Sequence, residues 1–367
     1  MSILIFSIVL SALVIVHELG HFSVAKYFGI RVDEFGLGYP PRAKKLFSWR
    51  GTDFTLNWLP FGGFVKIFGE NPAESDLAVS PPSDSFQHKN RGIQAAVLFA
   101  GVFFNFLFAW LLISLGFLSG IPAPESLGLP LNDPQTVIRL VIPDSPADLA
   151  GFMEGDVVLG ISRGDPNLFT ESTKVRSPEE AIAFISASDG SLNFTIRRGK
   201  DYYDLITVKP TEGILPDRLA VGVAMENVGT VKLSLYEAIR EGLKITWRLT
   251  TDIAEALGTF IWQAAMGKAD LKAVTGPVGL VGMVGEATGL GFGYLLTFTA
   301  IISLNLSLIN LLPFPALDGG RLVFVGIESI IRRPISPRIF NMLNTVGFLL
   351  LIFLMIIITI RDVRNIL

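Results

Sequence analysis

Residues 1–28 read MSILIFSIVLSALVIVHELGHFSVAKYF. Met1 to Val16 carries no charge, and then His17, Glu18 and His21 arrive together. The run has neither the basic leader nor the small-residue cleavage site of a signal peptide. Met1–Val16 falls short of the ~20 residues that a helix needs to cross a bilayer core. The helix is therefore expected to continue through HELGHFSVAKYF to about Phe28. That places three ionisable side chains within or beside the hydrocarbon, where such groups are costly and point to function.

Working outward, the whole chain is poor in charge. Of its 367 residues 50% are hydrophobic and 17% charged, with a mean hydropathy of +0.52, whereas a soluble protein carries about 25% charged residues. The deficit is local: Gly92–Pro124, Ala287–Leu317 and Ile339–Ile360 contain no Asp, Glu, Lys, Arg or His. Each stretch is long enough to span. A soluble enzyme and a disordered chain are excluded. The net charge of −3 offers no basic surface to a phosphate backbone, so no nucleic-acid partner is expected. Cysteine is absent, which removes disulfides, thiolate zinc sites, iron–sulfur clusters and thiol nucleophiles. Any metal must be held by nitrogen or oxygen, and the chain has only three histidines.

Charge asymmetry orients the spans. Lys26, Arg31, Arg42, Lys44, Lys45, Arg50, Lys66, Lys89 and Arg91 follow the first span, so that loop is cytoplasmic and the N-terminus external. Within it, Arg50-Gly51-Thr52 is a hairpin turn between KLFSW and DFTLNW, and NPAESDLAVSPPSDS at 71–85 is a Pro-rich loop. TVIRLVI, DVVLGIS, LNFTIRR and DLITVKP read as strands, and Ser177 before Pro178 starts a helix in SPEEAIAFISAS. The expected architecture is membrane α-helical with four transmembrane helices and one inserted extracytoplasmic α+β domain. Its segments are helix 1 at 1–28, a cytoplasmic-side β region at 29–91, helix 2 at 92–120 and the inserted domain at 122–227. Amphipathic interfacial helices follow at 228–285, then helix 3 at 286–320 and helix 4 at 338–361. Arg321, Arg332, Arg333 and Arg338 place the loop before the last span in the cytoplasm, and RDVRNIL at the end lies outside.

HELGH at 17–21 sets two imidazoles at i and i+4, on one face of a helix. That pairing suits two ligands of one tetrahedral Zn²⁺, and the adjacent Glu18 supplies the base for a metalloprotease's attacking water. An accidental pair on a helix face is the bland alternative, but no packing reason places His, Glu and His at membrane depth. A catalytic zinc takes three protein ligands. His88 lies in a polar loop beside Lys89. Asp318 is the better third ligand, ending helix 3 in NLLPFPALDGG at 310–320. Two neutral histidines and one carboxylate leave a divalent ion with a net +1, a sensible balance at low dielectric.

With HELGH at 17–21, NLLPFPALDGG at 310–320 and four spans carrying an external domain, the chain resembles the site-2 proteases, a family of intramembrane zinc metalloproteases. Within it the bacterial regulator-of-sigma-E protease (RseP) group is the nearest match. The resemblance implies His17, His21 and Asp318 as zinc ligands, Glu18 as the catalytic acid and base, and Asn305 and Asn310 as substrate holders. LPFGGFVKIFGE at 59–70 looks like the family's membrane-reentrant β-loop, which implies substrate contact at Gly62 and Gly63. Gly101 and Asn105 match a family G-P-x-x-N pattern, with Val102 in the proline's place, a change in helix packing. SPADLAGFMEGDVVLGISRG at 145–164 resembles the signature of a PDZ domain, of which the chain has one where Gram-negative members often have two.

The implied activity is cleavage of transmembrane segments of single-span membrane proteins in the bacterial inner membrane. The implied substrates are anti-sigma-factor-like proteins trimmed by an upstream site-1 protease, or remnant signal peptides. Two rivals are weaker. A PDZ scaffold collecting extracytoplasmic partners has no use for Glu18, and a metal transporter places ligating groups on several spans, whereas span two here is uncharged.

Overall fold

In a computed structural model of the protein, which describes residues 1–70, 82–163, 173–199, 202–215, 218–268 and 274–366, the first apolar stretch is one helix, α1 (Ser2–Tyr27). Gly29, at φ +67°, turns the chain out of it. β1 (Val32–Trp49) and β2 (Thr52–Ile67) then form an antiparallel pair. Their connection is Arg50-Gly51, both at positive φ (47° and 77°), which is the backbone that a two-residue type I′ hairpin requires. Phe35 in the first half of β1 is paired with Val65 on one side and Phe54 on the other. Residues 63–67 of β2 therefore pair with β1 alone and form an edge. Phe22 of α1 meets Phe35 and Phe54 edge-on, with centroids 5.6 and 5.7 Å apart, so the hairpin is anchored on the end of α1 by aromatic burial. Most of the expected 71–85 loop lies outside the described residues.

α2 (Arg91–Ser119) is the second long apolar helix. It crosses α1 at two glycines: a Cβ on Gly20 would collide with the Ala100 carbonyl and come within 3.0 Å of the Gly101 Cα. Only small residues permit backbones to approach so closely.

The chain divides into two compact units, residues 117–234 forming one and the remainder the other. The inserted unit has a seven-stranded sheet in the order β3 (Ile121–Pro124), β11 (Val223–Val231), β4 (Asn132–Val141), β5 (Val157–Arg163), β7 (Leu192–Arg198), β8 (Tyr202–Val208), with β6 (Thr173–Lys174) also paired to β5. β9 (Thr211–Leu215) and β10 (Arg218–Ala220) make a separate pair. Its helices are α3 (Pro146–Ala150) and α4 (Pro178–Ser186). Ser177 caps α4 by accepting from the Glu180 N–H at 3.3 Å, and Ser145 caps α3 in the same way. Ile138, Ile161, Leu192, Phe194 and Ile196 are buried at its centre. Asp156 is fully buried and held by the Arg198 guanidinium at 2.7 Å.

The first unit resumes with α5 (Leu235–Ala265), which buries Ala238, Gly242 and Thr246 on one stripe. α6 (Pro277–Leu290) is apolar on every side apart from Glu286 and Thr288, so only α5 fits the amphipathic description expected for 228–285. Gly291, at φ 128°, separates α6 from α7 (Phe292–Leu311). The stretch expected as one helix at 286–320 is thus broken twice. The second break, residues 312–317, is where Pro313 and Pro315 remove backbone donors. Asp318 opens a further helix, α8 (Asp318–Ile331), rather than ending the preceding one. α9 (Pro337–Ile366) completes the chain. α1, α2, α7 and α9 are long and apolar enough to cross a membrane.

Candidate metal centre

His17 and His21 lie one turn apart on α1, each 7% exposed. Their Nε2 atoms are 3.2 Å apart. An Asp318 oxygen lies 2.9 Å from His17 Nε2 and 3.3 Å from His21 Nε2. This is the group of His and acidic side chains found close enough to hold one ion among the described residues. Tetrahedral zinc bonds of about 2.0–2.1 Å place nitrogen and oxygen donors about 3.3 Å from one another, which is the spacing here. His21 Nδ1 is 2.8 Å from the Val97 carbonyl. A carbonyl only accepts, so the proton of that bond sits on Nδ1 and the Nε2 lone pair faces the other two donors. The residues fit zinc.

Local sequence explains how Asp318 reaches α1. Phe314, Pro315 and Ala316 fold the chain back after α7, with Ala316 at φ 75° and its N–H donating to Asn344 of α9 at 3.1 Å. A Cβ on Gly319 would strike the carbonyls of Leu311 and Leu312, and one on Gly320 the carbonyl of Phe314. Both glycines after Asp318 are therefore required by a tight re-entry, not by the metal.

Glu18, next to His17 on α1, lies against β2. It accepts a hydrogen bond from the Val65 backbone N–H on the β2 edge, and the place of a Gly63 Cβ is 3.9 Å from its Cγ. Gly63 is thus beside Glu18, while Gly62, at φ 77°, packs under Tyr39. Of the two expected asparagines, Asn310 Nδ2 is 3.5 Å from His17 Nε2. Asn305 instead donates to the Ile301 carbonyl of its own helix at 3.0 Å. His88 is exposed in a short 3₁₀ turn at Phe86–His88 and takes no part in the cluster.

Sequence reading left three groups without a role at the metal. A Cβ on Gly101 would run into His21 Nε2 and His17, so the missing side chain is the space in which the imidazoles sit. The Val97 carbonyl holds His21, and Asn105 abuts His17. The signal was their spacing of four residues along α2, which sets all three on one face.

Four helices long and apolar enough to cross a membrane, and a shielded His–His–Asp set with an adjacent glutamate, define a membrane-embedded metallohydrolase. The chain matches Peptidase family M50 over residues 5–354. A Clostridium perfringens protein whose name includes the words zinc metalloprotease is 35% identical over 357 residues, covering 96% of both chains. The zinc metalloprotease RasP of Oceanobacillus iheyensis is 27% identical over 446 residues, covering 99% of each. RasP of Geobacillus kaustophilus is 28% identical over 444 residues, covering 99% of this chain and 98% of its own. The chain belongs to peptidase family M50, the site-2 proteases, and is a multi-pass intramembrane zinc metalloprotease.

Proposed function

We propose that the protein cleaves transmembrane segments of single-span membrane proteins at a zinc centre held by His17, His21 and Asp318, with Glu18 as acid and base. The convergence of three donor atoms within 3.3 Å, from two helices about 300 residues apart in sequence, carries this reading. His17, His21 and Asp318 would hold the zinc, which when bound would supply Lewis acidity for water and the scissile carbonyl. A Glu18 carboxylate oxygen takes a proton from the attacking water and delivers it to the nitrogen of the departing amine. The Val65 N–H keeps that carboxylate aimed across the site.

A helical substrate hides its carbonyls in i→i−4 bonds and must be unwound before attack. The edge at residues 63–67, beside Glu18, offers backbone groups to which an extended strand adds. Asn305, Asn310, Gly62 and Gly63 are the proposed substrate contacts; for Asn310 the support is its 3.5 Å approach to His17 Nε2, and for Gly63 its place beside Glu18. Substrates of the regulated type, anti-sigma-factor-like proteins trimmed by a separate site-1 protease or remnant signal peptides, suit this entry. Charge asymmetry orients the N-terminus and the inserted domain outside the inner membrane, with the active site near the cytoplasmic side. The inserted domain is read as PDZ-like, a module that takes a peptide by strand addition; α4 and the strands β5 and β6 bound a groove lined by Arg163, Lys174, Arg176, Glu180, Ala183, Phe184 and Ala187.

Co-expression with a tagged single-span substrate tests the reading. Wild type cleaves it and a permeant zinc chelator stops cleavage. Glu18→Gln keeps about one zinc per chain but loses roughly 10²–10⁴-fold in turnover. Cleavage by the Gln variant near the wild-type rate removes Glu18 from the chemistry.

A further inference from the structure

Asn105 is fully buried on α2, and its Oδ1 has no hydrogen-bond partner. Its other terminal atom, Nδ2, is 3.3 Å from His17 Nδ1. The two ends of an amide are interchangeable by a half-turn of the group, and hydrogen bonding decides between them. As placed, Nδ2 donates into the Nδ1 lone pair. That forces the ring proton onto Nε2, among His21 and Asp318, and leaves an acceptor orphaned in a dry interior, which costs about 1–3 kcal/mol. With the half-turn, Oδ1 accepts from His17 Nδ1–H. The orphan disappears and the Nε2 lone pair is freed.

His21 already has this arrangement with the Val97 carbonyl. Val97, Gly101 and Asn105 recur every fourth residue, so one face of α2 supplies an acceptor for His21, a gap for both rings and a side chain for His17. Asn105 is itself held: its backbone carbonyl accepts from Ser303 Oγ at 2.8 Å, and that of Val102 from Ser307 Oγ at 2.9 Å, both on α7. Its amide has no second polar neighbour to turn towards among the hydrogen bonds found for it.

We propose that Asn105 is a positioning residue that accepts the His17 Nδ1 proton and thereby fixes the tautomer and ring angle in which Nε2 binds zinc. This rests on His17 and His21 being ligands. If purified wild-type protein takes up no zinc, that reading fails first, whatever Asn105 does.

The test is zinc affinity, measured on purified protein by competition with a chromophoric chelator, supported by the visible spectrum of the cobalt-substituted form. Asn105→Leu, which fills the space without an acceptor, weakens zinc binding about 10–100-fold and alters the cobalt spectrum. Asn105→Asp, which can only accept, stays within a few fold of wild type. Two results overturn the proposal: wild-type affinity in the Leu variant, or an Asp variant as weak as Leu while both metal-free proteins unfold at the wild-type temperature. Should the Leu variant fail to fold, ¹⁵N-histidine spectra of the zinc-loaded wild type decide, because only three histidines must be assigned. A protonated Nδ1 on His17 upholds the assignment, and a protonated Nε2 overturns it.

Discussion

At the residue scale, Asp318 and His88 are opposite outcomes of one question about a third ligand. His88 has the more usual donor chemistry, yet it is exposed in its turn and takes no part in the cluster, whereas the Asp318 carboxylate is only 18% exposed and touches both imidazoles. Asp318→Asn keeps the shape but removes the charge that balances a divalent ion, so zinc occupancy and proteolysis should both fall, by at least tenfold in affinity. His88→Ala should change neither. Elemental analysis of the two purified variants checks this, and loss of zinc from the His88 variant alone would require a different ligand set.

At the element scale, α8 carries Asp318 at its first position, so whatever orients α8 orients the ligand. Two ion pairs do so: Arg321 with Glu70 in the turn after β2, and Glu328 with Arg91 at the start of α2, the latter at 2.7 Å. The two α8 residues are seven apart and lie on one face. Both pairs are partly shielded from water, with Glu70 20% and Glu328 15% exposed, so their coupling should exceed that of a surface pair. Glu70→Arg alone should lower the unfolding temperature and zinc retention. Combining it with Arg321→Glu should recover part of the loss, a coupling of about 0.5–3 kcal/mol in a double-mutant cycle. A double variant no better than the single one would show that Glu70 acts independently of Arg321. These pairs join residues about 250 apart in sequence, and no periodicity or motif links them.

At the scale of the whole molecule, the inserted unit enters and leaves through one point. The Leu233 N–H donates to the Phe117 carbonyl at 3.0 Å, and Ile121 pairs with Val231. A domain whose ends meet can be excised without stretching the chain that remains. Removing residues 122–230 and bridging the gap with a short Gly/Ser linker should leave zinc content unchanged, because every residue of the metal centre belongs to the other unit. If the domain excludes substrates with bulky external parts, the excised protein should cleave an untrimmed substrate that wild type rejects. If it recruits, cleavage of a trimmed substrate should fall instead, and an assay with both substrates separates the outcomes.

The spans, the hairpin turn at Arg50-Gly51, the Ser177 cap and the paired histidines could all be read in the amino-acid sequence, because each depends on neighbours within a few residues: unbroken apolar length, positive φ at a two-residue turn, a hydroxyl before a helix, and a four-residue spacing on one face. Asp318 could be singled out by its prolines and glycines, but not the fact that it begins a new helix, since that follows from α9 holding the Ala316 N–H and from the re-entry under Leu311. Which of two asparagines faces the metal, which of two glycines lies beside Glu18, and the cradle of Val97, Gly101 and Asn105 were settled only when α1, β2, α2 and α7 packed together. Side chains on separate helices meet at distances that sequence separation does not encode, and a buried donor or acceptor acquires its role from the partner that the fold places opposite it.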